Sequence, residues 1–101
     1  MIKEAVEFAV EAHRGAVRKG TKIPYIVHPL EAAVIVGSMT KDEELIAAAV
    51  LHDVLEDTDA TEEELREQFG NRVTDLVVSE TDDKTQSWLV RKTRKLKRAE
   101  E

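Results

Sequence analysis

The longest uninterrupted apolar run of the chain, Leu45–Leu51, has seven residues and constrains the fold more than any other segment. Thr40 followed by Glu43 fits a capping box just before it, so we predict a helix over 41–57. Its middle turns are apolar on every side, and such a helix belongs at the centre of a bundle. The run is far shorter than the roughly 20 residues that span a bilayer, so we expect no membrane segment.

The rest of the chain carries helix signals but no strand pattern. No segment alternates apolar and polar residues with a period of two, so the predicted fold class is all-α. The prolines of the segment GTKIPYIVHP predict a loop, with Pro29 opening the next helix at its first turn. Thr61 and Glu64 form a second capping box, whose helix ends at Gly70. Together with the central helix, the predicted bundle of five to six helices uses residues 2–18, 29–39, 61–70, 72–78 and a last helix from Trp88.

The chain length and the balance of charged residues further limit the class of protein. A chain of 101 residues predicts a single domain over 1–101. Its 21 acidic and 15 basic side chains argue against non-specific nucleic-acid binding, and the basic run RKTRKLKR is expected to be a solvated helix face. The absence of cysteine means that any metal must be held by histidine and carboxylate. With no signal-peptide core either, we expect a cytoplasmic protein.

The segment LHDVLEDT places four ionisable side chains directly after the apolar run: His52, Asp53, Glu56 and Asp57. One interpretation is a helix end that frays into an acidic turn. Against it, acidic side chains in the last turn of a helix oppose the helix dipole, so a positive group should compensate them. The mixture of imidazole and carboxylate suits manganese, iron(II) or zinc better than calcium. The cluster therefore also predicts a metal site.

Two long segments resemble one family. AVEFAVEAHRGAVRKGTKIPYIVHPLEAAVIV and AAAVLHDVLEDTDATEEELREQFGNRVTDLV are similar to the HD-domain phosphohydrolases of the RelA/SpoT type, and ETDDKTQSWLVRKTRKL is closer to their small stand-alone alarmone hydrolases. The resemblance implies an HD-domain helical bundle. It also implies hydrolysis of guanosine 3′,5′-bis(diphosphate), ppGpp, to GDP and pyrophosphate.

The resemblance also implies which residues form the site. Its motifs are the histidine of VHP, the HD doublet, the following ED pair and the RKG triplet. They match metal ligands, usually for manganese, an acidic pair associated with the hydrolytic water, and a basic pair that contacts the nucleotide. Tyr25 is added as a candidate for the wall of the substrate pocket, with loop packing as its alternative. The implied ligands are His28, His52 and Asp53; the catalytic pair is Glu56 and Asp57; the substrate-binding residues are Arg18, Lys19 and Tyr25.

One departure from the family pattern leaves alternatives open. Family members supply a further metal-binding aspartate from a later ADK motif, which the settings of Asp75, Asp82 and Asp83 do not match. We therefore expect a chain that is incomplete at its C-terminal side and poorly active alone. The alternatives are an HD enzyme for another nucleotide or phosphate ester, and a catalytically inactive helical module. His13 is expected to be a hydrogen-bonded core histidine, and Trp88 a packing residue or a contact in a homo-oligomer.

Overall fold

The computed structural model describes the backbone of residues 1–82 and the side chains of residues 1–80. Its described part is helical and has no strand, only an isolated antiparallel bridge between Val17 and Pro24. The predicted all-α class is confirmed. None of the helices in that part is long and apolar enough to cross a membrane. The predicted helix from Trp88 lies outside the described residues. The helices are α1 Ile2–Ala12, α2 Val27–Gly37, α3 Glu43–Leu51, α4 Val54–Asp57 and α5 Glu62–Asp82.

Helix α3 is the central element, as its composition predicts. It packs against α1, α2 and α5, and all five residues from Ala47 to Leu51 are buried. Complete burial of a leucine such as Leu51 contributes about 1.5–3 kcal/mol. On one side the core is extended by the edge-to-face pair Phe8 and Phe69, whose ring centroids are 5.7 Å apart. Small alanines on α1 and α3 let the helices approach closely.

The prediction that α3 begins with a Thr40 and Glu43 capping box is wrong. The N-cap is Asp42, whose Oδ1 accepts hydrogen bonds from the backbone N–H groups of Glu44 at 3.1 Å and Leu45 at 3.3 Å. The Thr40 hydroxyl oxygen instead accepts from the N–H of Asp42 at 3.1 Å. The threonine therefore shapes the turn before the helix, and α3 starts at Glu43.

The predicted single helix over 41–57 is also wrong, because it is interrupted at the HD doublet. Helix α3 ends at Leu51, and Asp53 has φ −98° and ψ −5° before α4 begins. The Nδ1 atom of His52 lies 2.6 Å from the carbonyl oxygen of Ala49. A side chain therefore hydrogen-bonds to a backbone carbonyl in the last turn of α3. The break lies at His52, which is buried, and Asp53, whose side chain is 16% exposed.

Helix α1 ends at Ala12, six residues before the predicted boundary. Gly15 adopts φ 83°, and the following loop closes on itself through the hydrogen bond from the N–H of Arg18 to the carbonyl of Ile23, at 2.9 Å. This glycine with positive φ, three residues past the end of α1, turns the chain out of the right-handed helical region, so the helix does not continue to residue 18. Arg18 and Lys19 thus lie on a closed loop over residues 16–25, and their predicted position at a helix end is wrong.

The remaining boundaries agree more closely with prediction. Pro29 lies in the first turn of α2, which begins two residues earlier than expected. Thr61 and Glu64 form the predicted capping box, with each side chain accepting a hydrogen bond from the other residue's N–H, at 3.0 and 3.2 Å. Gly70, at φ 88° and ψ 176°, divides α5 into two helical segments, as predicted. The second segment continues past the predicted end at Val78.

Candidate metal centre

His28, His52 and Asp53 come together where the first turn of α2 meets the break between α3 and α4. One donor atom from each lies within 4.8 Å of the other two. The two imidazole rings, 24 positions apart in the chain, have centroids 5.3 Å apart. The predicted convergence of these three side chains is confirmed. Their role as ligands is taken up below as a proposal.

The donor set fits a divalent transition metal ion. The Oδ2 atom of Asp53 lies 3.1 Å from Nε2 of His52 and 3.5 Å from Nε2 of His28. Two atoms bound to one ion at about 2.1 Å are themselves about 3.0–3.4 Å apart, so the two distances from Asp53 are close to those of a shared ion. Imidazole nitrogen with carboxylate oxygen is a donor set for zinc, iron(II) or manganese.

Hydrogen bonding fixes which nitrogen of His52 faces the site. Its Nδ1 donates to the Ala49 carbonyl at 2.6 Å, leaving Nε2 directed at Asp53. A ligating histidine commonly donates its other N–H to a carbonyl in this way, which sets both tautomer and ring orientation. The side chain of His52 is 9% exposed and that of His28 is 41% exposed. The site therefore has a rigid inner wall and an open outer side.

The electrostatics of this pair are those of a buried ion pair. Burial lowers the pKa of His52, but the hydrogen bond and charge of Asp53, together with the Ala49 carbonyl and Glu80, raise it more, so the net pKa is raised. Burial likewise raises the pKa of Asp53, while His52, Tyr25 and His28 lower it, and the net pKa is lowered. When His52 is protonated, its Nε2–H donates to Asp53, and a bound cation would take the place of that proton.

Tyr25 lies at the centre of the site rather than only at a pocket wall. Its hydroxyl donates to Oδ2 of Asp53 at 2.7 Å and lies 3.1 Å from Oδ2 of Asp57. Asp53 and Asp57 thus share one face, as the i, i+4 spacing predicts. Burial, followed by the two carboxylates, raises the pKa of Tyr25, so the phenol stays a donor. Sequence reasoning missed this contact, because nothing local to Tyr25 signals a bond 28 positions away.

The other predicted site residues are partly or fully exposed. Glu56 and Asp57 are exposed on α4, three and four positions after Asp53. Arg18 is half-buried on the loop, with its Nη1 4.0 Å from Oε1 of Glu31, and Lys19 is exposed. The loop therefore brings positive charge into the segment that also carries Tyr25.

His13 is a core residue, but the prediction that it is hydrogen-bonded is wrong for the described part of the chain. It is 3% exposed, and neither ring nitrogen has a hydrogen-bond partner there. Its ring packs on Tyr25 with centroids 4.9 Å apart. Burial lowers its pKa, against the opposing charges of Asp53 and Asp57, so the ring is neutral.

A bundle of short helices with a histidine–aspartate doublet at a helix break and a second histidine from a neighbouring helix defines a class of metal-site proteins. The HD domain family matches residues 5–101, and the chain belongs to that family. This confirms the family and bundle that the motifs predicted.

Named relatives agree with that family. A guanosine-3′,5′-bis(diphosphate) 3′-pyrophosphohydrolase of Aquifex aeolicus is 51% identical over 76 residues, which is 75% of this chain and 11% of that protein. The corresponding enzyme MESH1 of Xenopus tropicalis is 45% identical over 96 residues, 91% of this chain and 53% of that protein. The chain thus spans about half the length of its MESH1 relative and a much smaller share of the long enzyme.

A solved structure shows the same fold. It is a metazoan orthologue of SpoT, described as hydrolysing ppGpp and acting in starvation responses. It superposes with a TM-score of 0.75 at 38% identity, over 86% of this chain and 51% of that one.

Proposed function

We propose that this chain is a metal-dependent phosphohydrolase domain that removes the 3′-pyrophosphate from ppGpp, giving GDP and pyrophosphate. The observation that carries the proposal is the convergence of His28, His52 and Asp53 on one point, with Asp57 joined to them through Tyr25. The names of the relatives support the substrate. Manganese is the proposed ion, and a cytoplasmic location belongs to the same proposal.

The proposed roles follow from chemistry and position. When bound, a divalent ion supplies Lewis-acid chemistry to the phosphoryl group. His28, His52 and Asp53 would hold it. Asp57 and Glu56 lie on the next helical turn, where a carboxylate can orient a water molecule and accept its proton.

The loop residues Arg18 and Lys19 are proposed to bind the charged end of the substrate. A pyrophosphate carries several negative charges, and the acidic site would repel it without a counter-charge. Arg18 offers a planar guanidinium, which suits phosphate oxygens, and exposed Lys19 adds a second charge. Positioning and electrostatic stabilisation are the main catalytic contributions in phosphoryl transfer.

The test is hydrolysis of ppGpp by the purified chain with MnCl₂, with nucleotides separated by anion-exchange chromatography. We expect slow, manganese-dependent release of pyrophosphate that His52→Ala and Asp53→Ala abolish together with Mn²⁺ binding. Glu56→Gln and Asp57→Asn should lower turnover about 10²–10⁴-fold, the usual contribution of acid–base catalysis, and reduce Mn²⁺ affinity much less.

Each contrary result identifies an alternative. Cleavage of another nucleotide or phosphate ester with ppGpp left intact would favour a different HD hydrolase. A chain that binds Mn²⁺ and cleaves none of these compounds contradicts hydrolase activity in this chain. If Mn²⁺ binding is also absent in calorimetry, the helical-module alternative is correct.

A further inference from the structure

One hydroxyl group joins the two acidic residues with different proposed roles. The Tyr25 O–H lies 2.7 Å from Oδ2 of Asp53, a proposed metal ligand, and 3.1 Å from Oδ2 of Asp57, proposed to orient water. The single hydroxyl proton is shared between these two acceptors, with the stronger hydrogen bond to the nearer oxygen, on Asp53. A carboxylate oxygen has two lone pairs, so Oδ2 can accept this bond and still face an ion.

The backbone of Tyr25 is held in place on both sides. Its N–H donates to the carbonyl of Ala16 at 2.8 Å, and its carbonyl accepts from the N–H of His28 at 3.0 Å. The bridge between Val17 and Pro24 closes the same loop. The hydroxyl therefore extends from a fixed point, so it can hold the carboxylates rather than follow them.

The ring of Tyr25 packs on the ring of His13. The two ring centroids are 4.9 Å apart at an interplanar angle of 41°, and His13 is buried with no hydrogen-bond partner in the described part of the chain. An imidazole with neither nitrogen bonded contributes here through its shape. His13 therefore makes a packing contact with the ring of Tyr25.

We propose that Tyr25 is a positioning residue that orients Asp53 and Asp57 through its hydroxyl, and that His13 is the packing support that fixes the Tyr25 ring. This goes beyond a pocket wall for Tyr25 and beyond a core role for His13. It rests on the proposed function in assigning an ion to Asp53 and water to Asp57.

The first experiment removes only the hydroxyl. Tyr25→Phe should weaken Mn²⁺ binding about 10–100-fold in calorimetry, the usual effect of losing a partner of a ligand. It should lower kcat for ppGpp while KM changes less than about threefold, because an unmoved substrate contact leaves ground-state binding intact. The match of Phe for Tyr keeps the ring contact with His13. A raised KM with unchanged Mn²⁺ affinity would overturn the proposal in favour of a substrate contact, and no change in either would overturn it outright.

The second experiment separates packing from polar chemistry at position 13. His13→Ala removes the support and should weaken Mn²⁺ binding, whereas His13→Phe supplies a ring and should restore most of it. If His13→Phe binds Mn²⁺ as weakly as His13→Ala, a polar role for the imidazole replaces the support role.

Phe69→Leu is the matched control for loss of a buried ring. Phe69 is 4% exposed and packs on Phe8, and neither is a proposed site residue. It should lower the melting temperature without changing Mn²⁺ affinity, and a matching loss of affinity would mean that general destabilisation explains the other variants. All the Mn²⁺ measurements hold even if ppGpp is not the substrate, so failure of the proposed function is distinguishable from failure of this inference.

Discussion

His52 uses both of its ring nitrogens before any ion is present. Nδ1 donates to the Ala49 carbonyl, and Nε2 lies 3.1 Å from Oδ2 of Asp53. Because the pKa of His52 is raised above 6.5, the imidazolium form, which donates to Asp53, is favoured below pH 6.5. A cation must displace that proton, because only the neutral imidazole can ligate. Metal binding and proton release are therefore coupled at this residue.

We predict that MnCl₂ stabilises the protein more at pH 8 than at pH 6. At pH 6 the raised pKa of His52 keeps the ring protonated, and Mn²⁺ competes with the proton; at pH 8 that competition is weaker. The measurement is the rise in melting temperature on adding MnCl₂ at each pH. Equal rises at both values would contradict the prediction, and His52→Ala should show no rise at either.

The rise in melting temperature caused by Mn²⁺ is the quantity to compare. Without the ion, the ionisable groups change the stability with pH in opposite directions. His52, with a raised pKa, contributes stability below pH 6.5 that is lost as pH rises through its folded value. Asp53, with a lowered pKa, contributes stability above pH 3.8 that is lost as pH falls through its folded value. His13, with a lowered pKa, makes the fold less stable as pH falls below 6.5. Subtracting the melting temperature measured without Mn²⁺ at each pH removes the contribution of His13, which is not a proposed ligand, and leaves the competition between Mn²⁺ and the protons of the ligands.

The donors could be predicted from sequence because their motifs are local. VHP places His28 at a helix start, and the HD doublet follows an apolar run. The Tyr25 hydroxyl contact could not be predicted, since it depends on how the loop folds back between Val17 and Pro24. That loop closure is a tertiary contact, and the hydrophobic periodicity of the sequence does not indicate it.

At the scale of elements, a contact between residues distant in the chain also decides which residue caps α3. Thr40 and Asp42 are both good N-cap residues, and their sequence neighbours favour Thr40. Arg72 from α5 settles the competition, with Nη2 2.7 Å and Nη1 3.0 Å from the Asp42 carboxylate. The Arg72 hydrogen bond holds the pKa of Asp42 at about 2. The Thr61 box has no such rival, and it forms as predicted.

The kink in α5 provides a prediction about backbone conformation. Gly70 has φ 88° and ψ 176°, a region almost restricted to glycine, and a Cβ built there would meet no atom within 4 Å. Gly70→Ala should therefore cost about 1–3 kcal/mol from backbone strain alone. Urea denaturation monitored by circular dichroism measures the change in the free energy of unfolding.

Gly37→Ala is the matched control at a helical glycine. Its added Cβ would lie 3.8 Å from Cδ1 of Ile46, an ordinary contact, and its φ is not positive. We expect no loss, and a gain of up to about 1 kcal/mol, because alanine has less freedom to lose on folding. If both substitutions destabilise equally, the loss at Gly70 does not come from its φ.

At the scale of the molecule, the core and the site share one helix. Helix α3 carries the buried run that ends at Leu51, and the next two residues are proposed ligands. The helix at the centre of the bundle therefore also fixes the carbonyl of Ala49, and this carbonyl orients His52. His28 arrives from α2, which packs on the same helix. The packing of α3 with α2 therefore sets the relative positions of the three donors.

The final prediction concerns how strongly the whole chain binds manganese. The described part of the chain brings three donor residues together. Water or other groups must fill the remaining positions of a six-coordinate ion. We expect a dissociation constant for Mn²⁺ above about 1 μM, corresponding to less than about 8.2 kcal/mol of binding free energy. Isothermal titration calorimetry at pH 8 measures it, with His52→Ala as the comparison. Binding below 1 μM that His52→Ala leaves unchanged would contradict both the strength and the location of the site, because an ion held at these donors must lose a ligand in that variant.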